Sequence, residues 1–174
     1  MPVYVFEVEL VGNIDESLDA LFEAGYDDAL VRGDDRGGSA GFDREAGTAI
    51  EAIVSAIDQA EACGLEVVGV TEDLVTLGEI AERTGRTLAA VENWVKGRRG
   101  PGDFPEPRVP RPRAALYSWA DVATWLSVHE VFEINPVDLE TAHACTVIDA
   151  AIRTRRGLRT IPQPDRDRIV KLVA

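Results

Sequence analysis

The side chains best equipped for specific recognition lie between positions 86 and 113: Arg86, Thr87, Leu88, Ala89, Glu92, Asn93, Lys96, Arg98 and Arg99, then Arg108, Arg111 and Arg113. Their chemistry is that of a surface for nucleic acid. An asparagine can pair with adenine, a glutamate can accept from cytosine N4, and a leucine or alanine can touch a thymine methyl, which are the roles open to Asn93, Glu92, Leu88 and Ala89. Thr87 and the backbone N–H groups of a helix start can grip a phosphate, while Arg86, Lys96, Arg98 and Arg99 neutralise more of the backbone. Arg108, Arg111 and Arg113 alternate with prolines that stiffen their loop, and an arginine on such a tip can follow the backbone or enter the minor groove.

No constellation for catalysis accompanies them. His129 and His143 are the two near-neutral bases, His129-Glu130 does not continue into HExxH, and no GxSxG, Walker or dinucleotide-binding pattern occurs. An enzyme is therefore not expected, nor is a cofactor. His143 and Cys145 are two apart on a helical stretch and point to different faces, which makes them poor joint metal ligands. Cys63 and Cys145 read as small buried residues. The pairs Asp27/Asp28 and Asp34/Asp35 lack the spacing of a calcium loop and read as a solvated acidic face.

Two short helices about a tight turn must carry the recognition residues. Thr76 and Glu79 form a capping box, Leu77, Ile80 and Ala81 give the first helix a buried side, and Gly85 falls where the chain turns. Thr87 caps a second helix with Val91, Trp94 and Val95 toward the core, ended by Gly97. Residues 98 to 117 follow as a basic, Pro-rich hairpin wing, with Phe104 and Val109 as strand residues, and Ala120 to Leu126 closes the domain as a helix. Trp94, Trp119 and Trp125 are expected in its core rather than stacked on bases. A plain helical pair beside a hydrated arginine loop is the simpler account. The occurrence of cap, turn glycine, core tryptophan, basic wing and closing helix in that order favours helix-turn-helix geometry.

With "TLGEIAERTGRT", "VENWV" and "LYSWADVATWL" in these places, residues 74 to 127 resemble the winged helix-turn-helix of the MerR, excisionase and AlpA-like superfamily. The layout is also similar to small actinobacterial helix-turn-helix proteins with an acidic N-terminal domain. The resemblance implies binding to double-stranded DNA. The long coiled-coil helix and metal-binding cysteines of MerR sensors are missing, so their effector-driven mechanism is not implied.

The overall charge of −13 over 174 residues argues against a nucleic-acid partner, yet it is a sum over unlike parts. Residues 1 to 73 hold 18 acidic and 3 basic side chains, whereas residues 74 to 128 hold 6 acidic and 8 basic, and residues 129 to 174 hold 7 of each. The break suggests a boundary near 72. Before it, Val3 to Leu10 alternates as a strand, and a helix with Leu18, Leu21 and Phe22 follows, capped by Asp15 or a neighbour. Ala29 to Arg32 and Ser39 to Phe42 flank a hairpin loop. A helix capped by Thr48 carries the stripe Ile50, Ile53, Val54 and Ile57, and Leu65 to Val70 is a strand. This βαββαβ order is that of a ferredoxin-like sandwich. Asn135-Pro136 starts a helix, with Val137, Ala144, Val147, Ile148, Ala151 and Ile152 as its apolar positions and Gly157 as its end, and residues 164 to 173 form a short amphipathic one.

The expected protein is α+β: an acidic ferredoxin-like domain at 1–72, a winged helix-turn-helix domain at 73–128 and a C-terminal helical segment at 129–174. It is expected to bind double-stranded DNA as a homodimeric transcriptional regulator, with its acidic domain serving self-association or a protein partner. Arg153, Arg155 and Arg156 can complement the helix dipole, DNA or an acidic surface. The alternatives are an antitoxin or adaptor-type interaction module and an excisionase-like protein that bends DNA. No apolar run has membrane-spanning length, and MPVYVFEVEL lacks the pattern of a leader, so a cytoplasmic location is expected.

Overall fold

A computed structural model describes residues 1–173. In chain order it contains β1 (Val3–Val11), α1 (Ile14–Glu23), β2 (Ala29–Gly33), β3 (Gly37–Glu45), α2 (Ala49–Ala62), β4 (Glu66–Val70), β5 (Leu74–Val75), α3 (Leu77–Thr84), α4 (Leu88–Val95), β6 (Tyr117–Ser118), α5 (Trp119–Val128), α6 (Pro136–Leu158) and α7 (Gln163–Val173). The chain is mixed α+β and divides into two compact units: Met1–Thr71 together with the segment from Ala144 onward, and Glu72–His143. The expected segment 129–174 is thus shared out. Leu139 and Ala142 join the core of the second unit, whereas Asp149 hydrogen-bonds within the first. No helix among the described residues is long and apolar enough to cross a membrane.

In the first unit the antiparallel sheet has the order β2-β3-β1-β4. Alternation along β1 buries Tyr4, Phe6, Val8 and Leu10 and leaves Val3, Val5 and Val11 exposed. Phe6 stacks on its cross-strand partner Phe42 at 4.9 Å, and Tyr26 meets the Phe42 edge at 4.8 Å. The cap of α1 is Asn13, whose side chain accepts the Glu16 N–H at 3.2 Å.

Both helix faces match the expected stripes only in part. On α1, Ile14 and Leu21 are buried, but Leu18 and Phe22 are 44% and 66% exposed. On α2, Ala49, Ala52, Ile53, Ala56, Ile57 and Ala60 are buried, while Ile50 and Val54 lie outside. Ile53 and Ile57 of the expected stripe are therefore buried, and the alanines, which let the helix backbone approach closely, complete the buried face in place of Ile50 and Val54. Thr48 accepts the Glu51 N–H at 3.1 Å as expected, but the Glu51 carboxylate takes the N–H of Gly47 instead of closing the box on Thr48.

In the second unit β5 pairs with β6, and Val75, Ile80, Val91, Trp119, Val122, Trp125 and Leu126 form the core. Asn135 caps α6, its Oδ1 accepting the Val137 N–H at 3.0 Å. That helix runs through Gly157 to Leu158 rather than stopping at the glycine, which an exposed helical turn tolerates. Of its expected apolar positions Ala144 and Ile152 are buried, whereas Val147 and Ala151 are exposed, and Thr141, Ala142, Cys145 and Asp149 are buried besides.

Candidate nucleic-acid interface

The helix pair is set by local bonds. Thr76 Oγ1 accepts the Glu79 N–H at 3.3 Å, and the Glu79 carboxylate accepts the Thr76 N–H at 2.7 Å, so the box is closed in both directions. Those bonds from Thr76 hold the Glu79 carboxyl below its usual range. Gly85 then takes the left-handed conformation, φ 62° and ψ 25°, and the Arg86 N–H donates back to Ala81 O at 2.9 Å. Thr87 opens α4, its Oγ1 accepting the Ala90 N–H at 3.2 Å.

Once Val91 is buried, α4 leaves Leu88, Ala89 and Lys96 exposed and Glu92 and Asn93 partly so. These are the base-reading candidates. Val95, expected in the core, is 38% exposed, and Trp94 is half-buried. Lys96 Nζ lies 2.8 Å from Glu92 Oε2, an exposed pair one turn apart, and it holds the Glu92 carboxyl below its usual range, with Arg98 adding to the effect. The Asn93 side-chain amide bonds to no described residue. Its backbone carbonyl accepts the N–H groups of Arg98 at 2.9 Å and Arg99 at 3.4 Å, fastening both arginines to the helix end, where Gly97 turns the chain at φ 61°.

The cations of this unit fall into two groups. Arg83 binds Asp73 with both nitrogens, at 2.6 and 3.0 Å, and lies 4.6 Å over the Trp119 ring, so it braces the fold. Arg108, counted among the wing contacts, has its Nε 3.5 Å from Glu72. Arg86, Arg98, Arg99, Arg111 and Arg113 are exposed and have no carboxylate partner among the described residues.

The hairpin in the segment expected as a wing, 98–117, is short. Val109 and Leu116 exchange two backbone hydrogen bonds, each 3.0 Å, and Arg111 and Arg113 sit in the turn between them. Phe104 is no strand residue. It packs between Trp94, Trp125 and Tyr117, with centroids at 6.5, 5.0 and 5.8 Å, while the Trp125 indole N–H donates to Gly102 O at 2.8 Å. Gly100, Gly102 and Asp103 all have positive φ, which bends the segment back over the tryptophans. The core role expected for Trp119 and Trp125 agrees with their burial, 7% and 5% exposed.

Other candidate chemistry is occupied structurally. Asp28 binds Arg44, and Asp34 accepts from Arg36. Thr124 Oγ1 donates its one proton to Ala120 O at 2.7 Å, so the His143 Nε2 at 2.7 Å must be the donor in their contact. Among the described residues no group of three or more His, Cys, Asp or Glu is placed to hold a metal. Comparison with models of protein families, with curated proteins and with solved structures finds no match to this chain.

Proposed function

We propose that residues 73–128 form a winged helix-turn-helix domain that binds double-stranded DNA sequence-specifically, and that the protein is a transcriptional regulator of the MerR, excisionase and AlpA-like type. The observation that carries this reading is the distribution of unpaired cations. Arg86 precedes α4, Arg98 and Arg99 follow it, and Arg111 and Arg113 occupy the wing turn, all without acidic partners among the described residues. The free Asn93 amide supplies a base-reading group on the same helix. In this reading α4 lies in the major groove, Asn93 pairs with adenine, and the arginines hold phosphates. The strand order β2-β3-β1-β4 supports a ferredoxin-like module for the acidic part, and a homodimer would present two recognition helices to paired half-sites.

Selection of bound fragments from a random duplex library, followed by salt titration of the best, tests the proposal. About five phosphate contacts contribute roughly −4 to −5 per bound protomer to the slope of log K against log salt, and about twice that for a homodimer. Asn93→Ala is expected to relax discrimination at one base pair by about 1–3 kcal/mol, whereas Arg111→Ala weakens all sequences alike and lowers the slope by about 1. Failure to retain any duplex at low salt sinks the reading. An adaptor is favoured instead if a stoichiometric protein partner copurifies and survives removal of residues 74–128.

A further inference from the structure

We propose that the outer edge of β2 is a docking site for an extended, basic segment of a partner protein, which adds to the sheet as a fifth strand. The phase of the β2–β3 ladder sets the geometry. The Asp43 N–H donates to Asp28 O at 3.3 Å and the Asp34 N–H to Gly37 O at 3.0 Å, so by antiparallel alternation Leu30 and Arg32 bond to β3. Val31 and Gly33 then turn their N–H and C=O groups outward, where no described residue meets them.

The opposite edge is treated differently. There the Val70 N–H of β4 donates to Asp149 Oδ1 of α6 at 3.1 Å, and Glu66 of β4 pairs with Arg156 of α6 at 3.4 Å and with Arg159 just beyond it at 2.6 Å, so α6 and its end cover that edge. Edge strands are ordinarily blunted by proline, lysine, a bulge or a cover. β2 has no proline or lysine, and its register with β3 runs unbroken from Ala29 to Gly33. Leu30 is 58% exposed on the strand, and Phe22 is 66% exposed on α1, which packs beside it. Strand addition requires such a free backbone and flanking apolar anchors.

Charge selects the occupant. Asp15, Glu16, Asp19, Glu23 and Asp27, on α1 and at the entry to β2, are exposed and have no cationic partner among the described residues, and Arg32 is the one comparable free cation in residues 1–71. A second copy would bring the same carboxylates to the edge and be repelled, whereas a segment bearing Lys or Arg neutralises them.

The experiment is fluorescence anisotropy of the full chain with a labelled decapeptide of alternating Val and Lys, beside the same peptide with Glu for Lys. The Lys peptide is expected to bind, to weaken at least tenfold on raising salt from about 50 to 500 mM, and to slow amide exchange at Val31 and Gly33. The Glu peptide is expected not to bind. Val31→Pro removes an outward N–H without removing a bond to β3 and should weaken binding at least tenfold with an unchanged circular dichroism spectrum. Should that variant unfold, the exposed Phe22→Ser gives the same readout. Lack of binding, equal binding of both peptides, or unaltered exchange at Val31 and Gly33 overturns the proposal. So does a dimer of the protein alone that Val31→Pro dissociates, which assigns the edge to a second copy.

Discussion

A guanidinium inside a protein is costly unless its N–H groups all find acceptors, and Arg44, 6% exposed, makes five such bonds. It reaches both oxygens of Asp28 at 2.8 Å, Ser55 Oγ at 3.0 Å, Gln59 Oε1 at 2.8 Å and Gly25 O at 2.7 Å, and it lies 4.6 Å over the Phe42 ring. It thereby ties β3 to the turn after α1 and to α2. Burial also pushes the Tyr26 phenol beside it up, with Arg44 acting in the opposite sense. Arg44→Ala is expected to cost about 3–5 kcal/mol, since it strands the Asp28 carboxylate, and the midpoint of urea unfolding checks it. A loss under about 1 kcal/mol would mean that water replaces the guanidinium freely. This cluster was partly legible. Arg44 shares strand parity with Ala40 and Phe42, which marks it as inward-facing and in need of a carboxylate, but nothing local singles out Asp28 from its acidic neighbours. At the candidate interface the helical period placed Leu88, Ala89, Glu92, Asn93 and Lys96 together. Phe104 was hidden, because a plug in a Gly- and Pro-rich loop has no periodicity to betray it.

At the scale of elements, caps and turns were the most readable features, being decided within four or five residues. Thr48, Thr76, Thr87 and Asn135 all cap the helices assigned to them. Which face of a helix is buried depends on the surface it meets, and this is why Leu21, Ile53 and Ile57 are buried as their spacing predicts while Leu18, Phe22, Ile50 and Val54 of the same stripes stay outside. Gly85 joins α3 to α4 at φ 62°, with open space where a Cβ would stand. Gly85→Ala is accordingly expected to cost about 1–2 kcal/mol of backbone strain alone, and Gly85→Asn less, measured by thermal unfolding. Equal melting of all three would show that the turn relaxes without a glycine. The α3 cap also confers a pH dependence. Because the folded Glu79 carboxyl titrates below its unfolded range, its contribution is complete above about pH 4.3 and declines as pH falls through the folded value. Acid unfolding compared between the wild type and Glu79→Gln should therefore diverge above that range and converge below it.

For the whole molecule, the −13 charge conceals a first stretch of acidic character and a middle stretch with a small basic excess. Bulk attraction to DNA is then weak, and base reading and dimerisation must provide most of the affinity in the proposed function. The first unit is also discontinuous, since it is completed by residues that follow the second. Asp149 is the clearest tie. Its Oδ2 binds Arg153 at 2.6 Å while Oδ1 takes the Val70 N–H. Asp149→Ala leaves that N–H unsatisfied, and exchange of the Val70 amide is expected to accelerate by about tenfold or more, whereas Asp149→Asn, which keeps a carbonyl acceptor, changes it less. This arrangement was not legible in the sequence, because a bond across 79 positions leaves no local pattern.

The same bond orders events while the chain is being made. Translation at roughly 5–20 residues per second sets an interval of about 4–16 s between the emergence of Val70 and that of Asp149. During that time the Val70 N–H of β4 lacks its acceptor while residues 72–143 leave the ribosome. The nascent protein thus has two adhesive sheet edges where the finished one keeps only that of β2, and its need for chaperones should be concentrated in that window.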